Sequence, residues 1–363
     1  MSRPLLSACL AAIVAVVPLF GPAPAFAAGL TPAEQLYADL AKLSPEARFA
    51  KLEAGARKGG VLNMIQTIRG KLGNDHMNIF RKRYPYLKFS TFEMGTMDAS
   101  TRLLSEETAG RHLTDAVQVT FPDLPFLLEK DLLARYPTPA TKKILKQYEP
   151  LLDAQNRWLP WQTEEHGIGY NPTMVKAADA PKSYDDLCDP KHRSQASYEP
   201  TETKFVVGLY YAYNQDMARV KKLIDCIGKN DPIVMRGHTV RLELMLAGDH
   251  AIQGDNFLYR GTLSNQKNPR KAPFKAVYEA PVMIYGGIVG INKNTPNPEA
   301  VALFADWTLS EESQDFFAKE YRGPVALPHP YIPDNAQLVV TGLLDSSVGN
   351  DLLDHWVKAV TKR

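Results

Sequence analysis

Apolar residues recur along this chain with two periods, and each period marks a kind of element. Leu36, Leu40 and Leu43, then Phe49 and Leu52, share one helical face within residues 31–60. Thr31-Pro32-Ala33-Glu34 supplies an N-cap hydroxyl, a proline at the first helical position and a glutamate three residues on, a capping-box pattern. Ser44-Pro45-Glu46 opens a second helix and Gly59-Gly60 closes it. From Val61 the rhythm changes. Runs at 61–68, 87–92 and 116–119 have strand length and strand-like patterning, and helical segments at 74–83 and 99–109 separate them. That alternation predicts an α/β architecture with parallel strands and crossover helices.

A second unit begins near Trp161. Residues 167–171 form an extended run with two glycines. Helical patterns follow at 183–187, 201–214, 217–227 and 240–247, interleaved with strands at 195–198, 233–235 and 251–253. Residues 265–273 are polar and basic, as a surface turn is. The run 282–291 is apolar and β-rich, as a buried strand is. Asn297-Pro298-Glu299 caps a helix to Leu309, Ser310 caps another to Tyr321, and 336–361 predicts terminal helices.

The N-terminus places the protein. Met1-Ser2-Arg3 is cationic, residues 10–20 are densely apolar, and Ala25-Phe26-Ala27 is a cleavage pattern, so residues 1–27 read as a secretory signal peptide. Of three cysteines, Cys9 leaves with that signal. Cys188 and Cys226 are then an even pair in an oxidising space, expected as a disulfide, with two free thiols as the alternative. With 363 residues the chain has room for about two domains. Lys and Arg total 42 against 40 Asp and Glu, so the net charge of +2 carries no nucleic-acid signature.

Motifs for catalysis are missing. The sequence has no G-x-x-x-x-G-K-[ST], H-E-x-x-H or G-x-S-x-G, and no Asp-rich calcium loop. The expectation is a protein that is not an enzyme and that carries no metal or cofactor. Gly286, Gly287 and Gly290 sit inside an apolar run and read as close backbone packing. Glu106-Glu107 and Glu164-Glu165 read as solvated surface charge. What remains are polar loops at strand ends, where ligands of parallel sheets gather. Thr67 and Arg69, Thr96, and Thr120 are candidates there. Arg236 also follows a strand, in one loop with His238 and Thr239. Arginine suits a carboxylate or phosphate, its alternative being a structural ion pair. Thr201, Thr203 and Thr239 lie near helix starts, where they either face an anion or simply cap. Tyr259 and Tyr285 either line a cleft or fill the core. Glu199 and Glu202 either complement a helix dipole or meet a cationic part of the ligand.

Five stretches, in order, carry a family resemblance: AGARKGGVL from Ala54, FRKRYPYLKF from Phe80, GYNPTMVKAADAPKSYDDLCDPKHR from Gly169, LAGDHAI from Leu246 and NPEAVALFADWTLSEESQDFF from Asn297. They resemble the extracellular solute-binding proteins of bacterial ABC importers, in the ferric-iron, thiamine, polyamine and phosphonate cluster. The resemblance implies a two-lobed type II periplasmic-binding-protein fold, with a cleft between lobes joined by two crossover strands near 168–171 and 275–281. It divides the chain into the signal (1–27), an N-terminal helical segment (28–59), lobe 1 (60–165 plus 280–325), lobe 2 (166–279) and C-terminal helices (326–363). It implies a periplasmic monomer that captures a small molecule and delivers it to an inner-membrane ABC permease, and no nucleic-acid partner. Iron-binding members place a tyrosine pair where this chain has Leu258 and Tyr259. A cationic Arg69 near Fe(III) is also unfavourable. The expected ligand is therefore a small organic anion such as a carboxylate, phosphonate or sugar phosphate. Ferric iron, a sensor-presenting role, or an exported enzyme on the same scaffold are the alternatives.

Overall fold

A computed structural model describes residues 29–361 of the protein. The signal peptide expected at residues 1–27 lies outside the described residues. The first two helices, α1 (Pro32–Leu40) and α2 (Pro45–Ala56), form where their caps predict. Thr31 Oγ1 accepts from the Glu34 amide at 3.3 Å and the Thr31 amide donates to Glu34 Oε2 at 3.0 Å, which completes the capping box. An alternating run follows: β1 (Val61–Gln66), α3 (Gly70–Arg83), β2 (Lys88–Glu93), α4 (Thr96–Thr108), β3 (Ala116–Thr120) and the short α5 (Leu124–Glu129).

Next come β4 (Leu159–Tyr170), β5 (Ala196–Tyr198), α6 (Thr203–Ala212), α7 (Met217–Lys229), β6 (Ile233–Val234), α8 (His238–Ala247), β7 (Ile252–Phe257), α9 (Leu258–Lys267), β8 (Lys275–Ala276) and β9 (Val282–Ile291). The last elements are α10 (Pro298–Thr308), α11 (Glu311–Lys319), β10 (Gly323–Pro324), β11 (Leu338–Val340) and α12 (Ser346–Thr361).

Three elements differ from the sequence expectation. Strand β4 starts at Leu159 and spans 12 residues, far beyond the extended run at 167–171. Its middle, Thr163-Glu164-Glu165-His166, is polar yet folded inward, so hydropathy hides it. Helix α9 reaches Lys267, into the segment expected as a turn. The C-terminal segment is not helix alone, because β11 precedes α12 and pairs in parallel with β9.

The main path of the mixed sheet runs β2-β1-β3-β9-β4-β7-β5-β6. Its two ends are parallel: β1 pairs with β2 and β3, and β5 with β6 and β7. Its middle is antiparallel, β3 with β9, β9 with β4, and β4 with β7. Two hydrophobic clusters flank this middle. One gathers Tyr37, Phe80, Trp161, Trp307 and Phe317, the other Tyr184, Tyr198, Phe205, Ile224 and Trp356. Strand β9 supplies both, with Ile284 and Ile288 in the first and Met283 and Tyr285 in the second. Alternate residues of a strand point to opposite faces, which is how residues 282–285 serve two cores, while Ile288, Val289 and Ile291 all join the first.

Cys188 and Cys226 are bonded, with Cα atoms 5.6 Å apart. The bridge ties the 3-10 turn Asp185–Cys188 to α7. Its sequence separation of 38 residues corresponds to about 4 kcal/mol of loop-closure entropy in the unfolded chain. Reduction is therefore expected to lower unfolding stability by a few kcal/mol, read from urea transitions with and without reductant. Coincident transitions would show that the bridge does not constrain the unfolded state.

Candidate functional site

The carboxyl ends of β1, β2 and β3 and the start of α6 converge on a cleft of about 400 Å³. Thr67 and Arg69 follow β1, Gly95 and Thr96 follow β2, and Thr120 ends β3. Opposite them stand Thr201, Glu202, Thr203 and Lys204 at the start of α6. Gln162 and Glu164 of β4, Gly287 of β9, Trp161 and Arg322 complete the lining. A Cβ on Gly287 would lie 2.6 Å from Gln162 Nε2, so this glycine does serve close packing, here at the wall of the cleft. The cleft joins surfaces from both hydrophobic clusters, because Trp161 belongs to one and Phe205, next to Lys204, to the other.

Helix starts give the cleft a positive cast. Arg69 and Gly95 are the N-cap residues of α3 and α4, and neither caps its helix with its own side chain, although at α3 the Gly70 amide donates to the Glu93 carboxylate at 3.2 Å. The partial positive charge at such ends favours anions. Helix α6 is capped by Glu202, whose Oε1 accepts from the Lys204 amide at 3.0 Å.

Three cations line the cleft, each held differently. Arg69 is exposed, and among the described residues its side chain has no ion pair or hydrogen bond. Lys204 Nζ donates to Glu164 Oε2 at 2.8 Å. Arg322 is only 6% exposed. Its guanidinium lies 4.5 Å from the centroid of the Tyr259 ring, and its Nε is buried with no acceptor. Its nearest carboxylate oxygen, Glu164 Oε1, is 3.7 Å away, beyond hydrogen-bond range. A buried guanidinium whose donors lack acceptors is costly unless something else completes it.

Both carboxylates of the cleft are engaged from within. Burial would raise the Glu164 carboxyl, but Lys204 and Arg322 outweigh that and hold it at about 2. Burial likewise opposes the ionised Glu202, while the hydrogen bond from His238 and the charge of Lys204 push its pKa well down. His238 Nε2 lies 2.7 Å from Glu202 Oε2, and its Nδ1 is 3.0 Å from Arg241 Nη2. Arginine only donates, so Nδ1 accepts and the ring proton sits on Nε2. Arg241, fully buried, continues the chain to Asp255 Oδ1 at 2.8 Å.

Of the residues expected at a ligand site, Thr67, Arg69, Thr96, Thr120, Thr201 and Thr203 do come together on the cleft. His238 stands behind the wall, on Glu202. Tyr259 backs Arg322, and Tyr285 is buried with its hydroxyl donating to the Lys204 carbonyl. Thr239 accepts from Arg260 at 2.6 Å away from the cleft. Arg236 lines a different cavity, with Val234, Val357 and Lys358. Glu199 is buried and accepts from the Gly237 amide at 2.6 Å. The expectation of solvated charge at Glu164-Glu165 and at Glu106 is corrected: Glu165 is fully buried and Glu106 is 8% exposed. Glu106 accepts from Thr114 and Arg102, and Glu165 from Thr163 and Tyr331. Glu164, Lys204 and Arg322 are the functional candidates that sequence reasoning missed. Lys204 was within reach, being one residue past a helix start already singled out. Arg322 belongs to no motif. Among the described residues, no three His, Cys, Asp or Glu side chains gather as a metal site.

Residues 123–342 match the family of bacterial extracellular solute-binding proteins. The chain belongs to that family. No protein of curated function matches its sequence. Among solved structures, iron-bound HitA from Pseudomonas aeruginosa superposes with a TM-score of 0.68 at 14% identity, over 83% of this chain and 99% of that one. The substrate-binding protein of an ABC transporter from Agrobacterium tumefaciens gives 0.68 at 16% identity, over 85% and 96%. PotD, the spermidine/putrescine ABC transporter substrate-binding protein of Streptococcus pneumoniae, gives 0.65 at 16% identity, over 84% and 99%. These likenesses show the fold, that of the type II periplasmic binding proteins.

One buried group beside the cleft makes a pH prediction. His166 of β4 is fully buried, neither ring nitrogen has a partner, and its ring packs 4.2 Å from that of Phe257. Burial pushes its pKa down to about 3. The unfolded chain, near 6.5, therefore takes up the proton first, and stability falls as pH drops from about 6.5 toward 3. At pH 4.5 the loss from this residue is roughly 2–3 kcal/mol. His166→Phe is expected to flatten that part of the stability–pH curve in urea titrations. Equal slopes in the two proteins would mean that His166 is not held neutral.

Proposed function

We propose that this protein is the periplasmic capture subunit of an ABC importer and that its cleft takes a small organic anion: a carboxylate, phosphonate or sugar phosphate. The observation that carries this reading is Arg322, buried in the cleft wall with an Nε that no acceptor meets and its nearest carboxylate oxygen 3.7 Å away. The uncapped start of α4 and the unpaired Arg69 add to the same positive field. The volume of about 400 Å³ suits a ligand of modest size. We place the lobes at 60–165 plus 280–325 and 166–279, with hinge closure around the ligand; the two hydrophobic clusters support two lobes, with Leu242, Met245, Leu258 and Phe274 of the second lobe packing into the first cluster. The family and the signal-like N-terminus support export, and delivery to an inner-membrane permease is the corresponding partner step.

Other ligand classes fit less well. The iron in HitA makes ferric iron the second reading. Arg69, Lys204 and Arg322 would oppose a trivalent cation unless an anion came with it. A polyamine, the cargo for which the spermidine/putrescine-binding PotD is named, needs free carboxylates, and both in this cleft are already engaged.

A thermal-shift panel of inorganic phosphate, citrate, glucose 6-phosphate and spermidine tests the class, since ligand at 100 times its Kd adds about 2.7 kcal/mol. An anion is expected to raise the Tm. Stabilisation by spermidine alone would overturn the reading. With the responding anion, Arg322→Gln is expected to lose about 1.5–3 kcal/mol of binding by calorimetry. Arg236→Ala is expected to leave binding unchanged, because it lines a different cavity.

A further inference from the structure

Glu164 is the carboxylate that two of the cleft's cations face. Lys204 Nζ meets its Oε2 at 2.8 Å, and the Arg322 guanidinium faces its Oε1 at 3.7 Å. All three side chains line the cleft. They come from separate parts of the fold: β4, the first turn of α6, and the segment after α11. The side chains are 12%, 17% and 7% exposed, so water screens their charges weakly.

We infer that Glu164 is an internal counter-anion that competes with the ligand for Lys204 and Arg322. Like charges at close range repel, so an anion entering the cleft must either displace Glu164 from Lys204 or bind against its field. The cations alone would hold an anion more tightly than the cleft does. Without Glu164, two largely buried cations would also face each other in the unliganded cleft with nothing between them. The carboxylate thus supports the empty form and lowers the affinity of the filled one. A carrier that must release its cargo has use for both effects. This inference rests on the anion reading above.

The test is calorimetric titration of the full mature protein with whichever of inorganic phosphate, citrate or glucose 6-phosphate stabilises it. Glu164→Gln keeps the side-chain shape and removes the charge. It is expected to bind the same probe at least tenfold more tightly and to melt at a lower temperature when unliganded. In a Lys204→Met background the gain is expected to shrink, because one contested cation is gone. A side chain that merely shaped the cleft would give no gain in either background. Equal or weaker binding by Glu164→Gln overturns the inference and leaves the anion reading standing. Failure of the wild type to bind any anionic probe removes both. If Glu164→Gln does not fold, Glu164→Asp carries the test. Its shortened reach is expected to raise affinity two- to threefold, and unchanged or weaker binding counts against the role.

Discussion

The antiparallel pairing of β4 with β9 is the constraint on which the rest depends. It is the middle of the sheet, with parallel strands on either side, and both hydrophobic clusters draw residues from it. Strand β9 meets this demand simply, since each of its 10 residues is buried and none is charged. Strand β4 does not. It carries Glu164, Glu165 and His166 into the interior, and buried carboxylates need partners. Glu165 finds Tyr331 and Thr163 on one side of the sheet, and Glu164 finds Lys204 and Arg322 on the other. The polar floor of the cleft is therefore a consequence of running a charged strand through the centre of the molecule.

The cleft combines two sources of positive potential. One is generic to parallel β-α units: the strands end and the helices begin at the same rim, so loop threonines and backbone amides converge there. The other is particular to this chain, in which Arg322, Lys204 and Arg69 approach from three elements. Behind the wall, Glu202, His238, Arg241 and Asp255 form a continuous hydrogen-bonded series that fixes the first turn of α6. The same network fixes the backbone that presents Thr203 and Lys204 to the cleft. Rigidity here matters because binding that must order its own site loses affinity to that ordering.

Several features were legible in the residues. The capping box of α1, the proline starts of α2 and α10 and the Ser310 cap of α11 marked these helices, because such signals act within four or five positions. The strand-end threonines Thr67, Thr96 and Thr120 were legible because β-α alternation places such loops on one rim. Arg236 and Arg69 looked alike in sequence, each an arginine after a strand. Only one faces the cleft. Their strands lie at opposite ends of the sheet path, β1 near one edge and β6 at the other, and sheet order is not a local property.

Local chemistry along the chain thus determined the element types, the α/β class and the kind of side chain at the strand ends, and it made a disulfide between the two late cysteines the expectation. Tertiary structure alone decided which of them meet. Glu164 and Glu165 are neighbours in sequence, but a strand sends them to opposite faces, one to the cleft and one away from it. Lys204 and Arg322 are 118 positions apart, and only the packing around β4 brings both to a single carboxylate. Hydropathy and spacing act over a few residues, whereas the charge balance of a site depends on distances across the fold.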